Sequence, residues 1–348
     1  MAGSRLYYAT SDYAGSYRDS GIADFPLGIL SLGSNFHYQR KVDSMKPQYL
    51  VAKILKRGYA ALKSLCWEIN RKFRTSVTIS TKQGVFTVLL AADESIGRSL
   101  YCHGHYELDL ISNVMAFLRN IHKCPPKGEG TIVDIGANNG VISIGMLHTG
   151  EVERAIAIEP EPRNFSLLQR NVNLNGLSDR VICLPYAASH QKGKIQFELS
   201  NTNFGDHRVR TNARLVNSVS GERFHESERR VITVESDQLD NLLANATEPF
   251  LHSIDIIWID VQGYEGYAFM GAKNLLSKNI PVVSEIWPYG INRAGMTPEQ
   301  FYAIASSIWA NYWVWRRRKF VRYPINTLNI FFDELGTDGD SGNVIFTQ

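Results

Sequence analysis

Apolar residues recur at helical spacing over residues 47–74: Leu50, Val51, Ile54, Leu55, Leu62, Leu65, Cys66 and Ile69. Lys53, Lys56, Arg57, Lys63, Arg71 and Lys72 fall between them, which predicts a basic amphipathic helix. Such a helix can pack its stripe on its own domain, lie on an anionic membrane surface or meet a partner. Residues 76–79 and 85–90 read as a hairpin around a turn at Lys82-Gln83-Gly84. A helix is predicted over about 107–121. The cluster Pro125-Pro126-Lys127-Gly128 then breaks the chain. It divides an N-terminal accessory region, 1–126, from a second domain, 127–348. Residues 1–45 follow neither period and read as a loop-rich arm.

Beyond the break, strand and helix alternate. Strands are predicted at 131–135, 155–158 and 181–184, with helices over 141–147 and 165–176. Residues 189–230 are longer and more polar than an ordinary connection, so they form an insertion. A strand over 231–234 and a short helix over 239–243 follow. Residues 254–259 are the most continuously apolar stretch of strand length, as a central strand covered on both faces must be. Next come a helix over 265–277 and a strand over 282–286. Thr297-Pro298-Glu299-Gln300 opens a further helix with an N-cap, a first-position proline and a capping-box glutamine. Residues 328–332 read as a last strand. The alternation implies an α/β fold, a doubly wound and mostly parallel sheet, preceded by an α+β accessory region.

Composition narrows the picture. With 44% hydrophobic and 20% charged residues, the 348-residue chain can bury a large core, which excludes wholesale disorder and a coiled-coil rod. The net charge of +3 gives no argument for nucleic acid. Charge is uneven, however: residues 1–74 hold 12 Lys and Arg against 5 Asp and Glu, and the remainder 25 against 29. Cys66, Cys102, Cys124 and Cys183 are widely spaced, so neither a disulfide framework nor a zinc knuckle is expected, and no metal is assigned. His103-Gly104-His105 lacks a supporting ligand at metal spacing. The start has no signal-peptide core and no apolar run reaches 18 residues, so a soluble cytoplasmic protein is expected.

The chemistry gathers at three strand ends. Ile132-Val133-Asp134-Ile135-Gly136-Ala137-Asn138-Asn139-Gly140 puts an acid inside the first strand of the second domain and a glycine turn at its carboxyl end. A nucleotide-type ligand sits in such a crevice, against the amides that open the next helix. The Gly-x-x-x-Gly spacing is not the dinucleotide fingerprint, and Asp134 suits an ammonium-bearing ligand rather than a pyrophosphate. Glu159, followed by Pro160, ends the second strand, where a carboxylate can accept from both hydroxyls of a ribose. Asp260 ends the central strand in Trp258-Ile259-Asp260-Val261-Gln262-Gly263-Tyr264-Glu265 and faces the same crevice.

Together with Pro185-Tyr186-Ala187-Ala188, Leu239-Asp240, Gly271-Ala272 and Ser284-Glu285-Ile286, these segments resemble the FkbM-type methyltransferases, which are S-adenosylmethionine-dependent class I enzymes with a Rossmann-like core. The resemblance covers about residues 130–290. It implies transfer of a methyl group to a hydroxyl of a sugar or other small molecule. It also implies that Asp134, Gly136, Ala137, Asn138, Gly140, Glu159, Pro160 and Ala187 hold S-adenosyl-L-methionine. Where the family has Asp-Val-Glu-Gly, this chain has Asp260-Val261-Gln262-Gly263, one charge fewer. A hydroxyl acceptor needs a proton acceptor, and Asp260, Glu285 and His207 are the catalytic candidates, with Glu265 beside them. His207 lies in the insertion, and an imidazole titrates near neutrality. Two other classes use the same pattern: a nicotinamide-dependent oxidoreductase, and a non-catalytic core recruited to membranes or partners by the basic helix.

Overall fold

The computed structural model describes residues 47–91, 93–211, 224, 226–244, 250 and 254–348. The arm over 1–45 and part of the insertion, 212–223, lie outside the described residues. The chain divides into two compact units, Met1–Glu68 and Ile69–Gln348. Residues 69–126, counted from the sequence with the accessory region, thus belong to the larger unit. The amphipathic pattern forms helix α1 (Pro47–Phe73), which leaves Tyr59, Leu62, Leu65, Ile69 and Phe73 exposed. Among the described residues, no helix is long and apolar enough to cross a membrane.

The larger unit opens with the predicted hairpin, β1 (Ser76–Thr81) and β2 (Gly84–Leu89). Helix α2 (Ile96–His103), unforeseen from the sequence, precedes α3 (Leu108–Asn120). Strand and helix then alternate through β3 (Thr131–Ile135), α4 (Val141–His148), β4 (Arg154–Ile158), α5 (Pro162–Leu174) and β5 (Val181–Leu184). The insertion contributes β7 (Gly193–Leu199) and β8 (Arg208–Arg210) to a second sheet completed by β6 (Ala187–Ala188) and β9 (Arg230–Asp237), in the order β6-β9-β7-β8. After α6 (Leu239–Ala244) come β10 (Ile254–Ile259), α7 (Glu265–Met270), α8 (Lys273–Leu276), β11 (Val282–Ile286), α9 (Pro288–Arg293) and α10 (Pro298–Ile308). The chain ends through β12 (Asn311–Arg316), β13 (Lys319–Pro324), α11 (Leu328–Leu335) and β14 (Gly342–Thr347).

The main sheet has the order β13-β12-β14-β11-β10-β3-β4-β5. Its five strands from β11 to β5 run parallel, and β14 joins β11 antiparallel. This is the doubly wound α/β architecture expected. The chain steps from β3 outward to β4 and β5 on one side, then returns to β10 on the other. The crevice therefore opens at the carboxyl ends of β3 and β10, where a doubly wound sheet binds ligands.

Two sequence expectations are overturned. Residues 328–332 form the start of α11, because Leu328, Phe331 and Phe332 are buried at helical spacing, and β14 supplies the last strand instead. The helix expected over 265–277 breaks into α7 and α8 at Gly271, where a Cβ would lie 1.9 Å from the Ser189 carbonyl oxygen. The capping box of α10 is present: Gln300 N donates to Thr297 Oγ1 (3.2 Å), and Thr297 N to Gln300 Oε1 (2.9 Å).

The hairpin is joined to α5 by two asparagines, Asn171 within it and Asn175 at its C-cap, that imitate a strand. Asn171 Oδ1 accepts from Thr87 N (2.7 Å), and its Nδ2 donates to Thr87 O (3.4 Å). One helical turn on, Asn175 Oδ1 accepts from Val85 N (2.8 Å) and its Nδ2 donates to Val85 O (2.7 Å). Four helical residues rise about 6 Å and two strand residues about 6.6 Å, so the two ladders nearly match. Asn171 Nδ2 also donates to Asn139 O (2.9 Å), linking the hairpin to the glycine turn. A buried unmet amide costs about 1–3 kcal/mol. Asn171→Ala should therefore lower unfolding free energy by roughly 2–4 kcal/mol in urea titration, and a loss near zero would contradict the strand-mimic role.

Candidate functional site

The turn after β3 is left-handed at Gly136, Asn138 and Gly140, with φ of 85°, 51° and 88°. Asparagine tolerates that region better than other side-chain-bearing residues. Gly136 is required for a second reason: a Cβ there would lie 1.9 Å from the Asp260 carbonyl oxygen. The β3 turn and the end of β10 thus touch backbone to backbone. Gly140 caps α4, and a Cβ on it would press on Ile144 and Leu168 at 2.8 Å. Asp134 Oδ2 accepts from Ser143 N (3.1 Å) and Ser143 Oγ (2.5 Å), which locks the turn onto the first turn of α4. Burial pushes its carboxyl up to about 6, against the pull of Ser143. Asp134 is not among the residues that line the crevice, and its bonds to Ser143 hold the turn.

A crevice opens at these strand ends. Gly136, Asn138, Glu159, Pro160, Ala187, His207 and Asp260 line it together, whereas Ala137, Gly140 and Glu285 do not. Glu159 accepts from Asn138 N at Oε2 (2.9 Å) and from Glu161 N at Oε1 (2.8 Å). Both oxygens are thereby fixed while each keeps a lone pair. Burial pushes this carboxyl up to about 8. Phe204 roofs the crevice from the insertion: its carbonyl accepts from Asn138 Nδ2 (2.8 Å) and Asn164 Nδ2 (3.1 Å).

His207 is buried in the same wall, and loss of water drops its ring pKa to about 3, with Arg229 and Arg163 adding to the effect. Ser200 N donates to its Nδ1 (3.0 Å), so the neutral ring carries its proton on Nε2. At neutral pH the ring therefore presents its Nε2–H as a donor.

Three carboxylates meet at the other end: Asp260, Glu265 and Glu285 place ligand atoms within 4.8 Å of one another. Gln262 donates its amide to Asp260 Oδ1 (2.7 Å) and to Glu285 Oε2 (3.2 Å), standing between two acids. Its backbone is left-handed, at φ 55°, which swings the amide back over the strand end. Ser341 Oγ donates to Glu285 Oε1 (2.7 Å). Glu265 Oε1 accepts from Val261 N (3.2 Å) and Gly263 N (3.1 Å). Gly263 belongs to this loop because its Cα approaches the Gly290 backbone, where a Cβ would come within 2.2 Å of the carbonyl carbon.

Burial pushes Glu265 up to about 7 and Glu285 well above the usual carboxylate range, with Asp260 raising both further. Asp260 opens to the crevice, yet loss of water from the surrounding wall raises its carboxyl as well, Asp206 adding to it. Glu107, which starts α3 at φ 50°, joins the group: burial and Asp260 push it up to about 8. No spacing rule linked Glu107 to the site, because it comes from a segment placed in the accessory region.

The insertion carries charge of the opposite sign. Arg208 is buried and pairs with Asp206 (2.5 Å) and Glu226 (2.9 Å), its guanidinium 4.4 Å from the Trp287 ring centroid. Arg293, from α9, pairs with Glu198 (2.6 Å) and Glu226 (3.2 Å), and Arg229 pairs with Asp206. This network fastens the second sheet to α9 and holds His207 in place between its members.

Comparison with known proteins adds a family to this geometry. Residues 134–307 match the model of the methyltransferase FkbM domain, half of the chain. The 2-O-methyltransferase NoeI of Sinorhizobium fredii (strain NBRC 101917 / NGR234) is 31% identical over 173 residues, covering 48% of this chain and 67% of that protein. A solved methyltransferase FkbM from Methylobacillus flagellatus KT aligns at 16% identity and a TM-score of 0.36, over 73% of this chain and 55% of its own. The chain thus spans little more than half of that solved relative. TYW2 of P. horikoshii in complex with MeSAdo aligns at 14% identity, TM-score 0.35, over 78% of this chain and 70% of its own.

The raised carboxyls set a sign for pH dependence. Each binds its proton more tightly folded than unfolded, so its contribution is complete below about pH 4 and is lost as pH rises through the folded value. Asp134 near 6, Glu265 near 7 and Glu107 and Glu159 near 8 place the loss between about pH 5 and 8. Gln262→Glu should destabilise by about 1–3 kcal/mol at pH 8 and much less at pH 5, where a protonated acid still donates. Thermal melts at both pH values check this; an equal cost at both would contradict the carboxylate grouping.

Proposed function

Because the chain belongs to the methyltransferase FkbM domain family, we propose that it is an S-adenosylmethionine-dependent enzyme that methylates a hydroxyl of a sugar or other small molecule. The observation that carries this reading is Glu159. Its carboxylate stands at the end of β4 in the crevice, pinned by two backbone amides with lone pairs to spare, as a ribose diol requires. Two buried polar atoms of the same wall, Asn164 Oδ1 and His207 Nε2, have no partner among the described residues, which supports a polar ligand there.

In this reading Gly136, Asn138, Glu159, Pro160 and Ala187 line the nucleoside end, Ala137 and Gly140 shape the turn, and Asp134 keeps the turn in place through Ser143. The bound cofactor would supply a methyl group already activated on a positively charged sulfur. The protein then needs to align the acceptor, exclude water and take one proton, and positioning of this kind can be worth roughly 7–11 kcal/mol. Asp260 is the proton acceptor of choice: it opens to the crevice, its raised pKa makes it a stronger base than an ordinary aspartate, and Gln262 fixes its carboxylate. Glu285 acts behind it, sharing the Gln262 amide. The likeness to NoeI, a 2-O-methyltransferase, supports oxygen as the methylated atom. A second reading, peripheral contact with a membrane or partner, draws support from the exposed apolar stripe of α1 and the basic excess of residues 1–74.

Calorimetry should show S-adenosylhomocysteine binding and no NAD binding. Glu159→Ala should raise the S-adenosylhomocysteine dissociation constant about tenfold, as loss of a fixed, buried hydrogen-bond partner does; unchanged affinity would place the ribose elsewhere. Asp260→Asn should lower kcat by about 100-fold or more with cofactor affinity kept. Normal turnover in that variant would remove Asp260 as the base.

A further inference from the structure

The two unpartnered atoms of the crevice wall have opposite and fixed hydrogen-bonding sense. Asn164 is buried and commits its Nδ2 to the Phe204 carbonyl (3.1 Å), so the remaining Oδ1 only accepts. His207 is buried and commits Nδ1 as acceptor of Ser200 N–H (3.0 Å), so Nε2 carries the proton and only donates. Burial, with Arg229 and Arg163 adding to it, disfavours a second proton on this ring, so its sense holds across the physiological range. The surroundings suit a flat ring. Phe204 stands 5.5 Å from the His207 ring, centroid to centroid, and Phe197, Tyr186 and Val209 line the same wall. The Phe204 carbonyl also takes Asn138 Nδ2 (2.8 Å), so one atom aligns the β3 turn, the first turn of α5 and the insertion.

Resting on the S-adenosylmethionine reading, we propose that Asn164 and His207 read the adenine base: Asn164 Oδ1 accepts from its exocyclic amine and His207 Nε2–H donates to the adjoining ring nitrogen N1. Adenine carries a donor and an acceptor side by side on that edge. Hypoxanthine reverses both, with a carbonyl in place of the amine and a proton on N1. Acceptor would then face acceptor and donor face donor, and sites built on such contacts reject the mismatched analogue strongly. The pair is thus a specificity device for the base, separate from the ribose contact at Glu159 and from proton transfer at Asp260.

The test compares S-adenosylhomocysteine with S-inosylhomocysteine by calorimetry on the full chain. The wild type should bind the inosyl ligand at least about 30-fold more weakly, as two opposed contacts require. His207→Asn keeps an acceptor for Ser200 N–H but withdraws the donor. It should weaken adenosyl binding by about 3- to 10-fold and narrow the preference between the two ligands. Equal wild-type affinity for both ligands overturns the base-reading pair while leaving the cofactor assignment intact. Binding of neither ligand overturns the cofactor assignment and the pair with it. Should His207→Asn not fold, the Nε2–H signal of nitrogen-15 histidine in the wild type decides: it must shift with the adenosyl ligand, and an unmoved signal overturns the proposal.

Discussion

The Gly136 backbone lies so close to the Asp260 carbonyl that a Cβ on residue 136 would sit 1.9 Å from its oxygen. This contact joins the carboxyl ends of β3 and β10, the two strands between which the sheet reverses its order. Everything functional hangs from it. The β3 turn can reach Glu159 through Asn138 N only because it folds back over the strand ends, and Asp260 can open to the crevice only because its main chain is held against Gly136. Any side chain at 136 would push the two lips of the crevice apart.

Around that contact the protein builds two charged clusters, one acidic and one of paired charges. On one side it gathers Asp260, Glu265, Glu285 and Glu107 where water is scarce, so that each carboxyl titrates high. Gln262 supplies a neutral donor at the place where the family pattern has another acid, easing the crowding by one charge. On the other side, Arg208, Arg229 and Arg293 interlock with Asp206, Glu198 and Glu226. Buried networks of this type are weak contributors to net stability but break badly when one partner is lost. Their use here is to hold a long insertion, and His207 within it, against the crevice.

Local signals carried most of the fold. The Gly136–Gly140 turn, the strand over 254–259 and the Thr297 capping box each follow from a few adjacent residues, and each occurs where its chemistry requires. Leu328, Phe331 and Phe332 misled because a short apolar run satisfies both periods, and only its burial against the sheet selects a helix. The pairing of β14 between β11 and β12 is a long-range choice that no local pattern encodes. At the site, Glu159 and Asp260 were legible because strand ends mark the crevice. Asn171, Asn175 and Glu107 were not, since their partners lie far along the chain. The surroundings of His207 were not legible either, because its pKa depends on burial and on arginines that spacing cannot show.

The central claim is that the cleft between the ends of β3, β4 and β10 holds the nucleoside of S-adenosylmethionine. A crystal structure of the full chain with S-adenosylhomocysteine tests it most directly. The account predicts ribose hydroxyls on the Glu159 carboxylate and the sulfur directed toward Asp260. A ligand seated elsewhere, or a ribose that leaves Glu159 untouched, would contradict it.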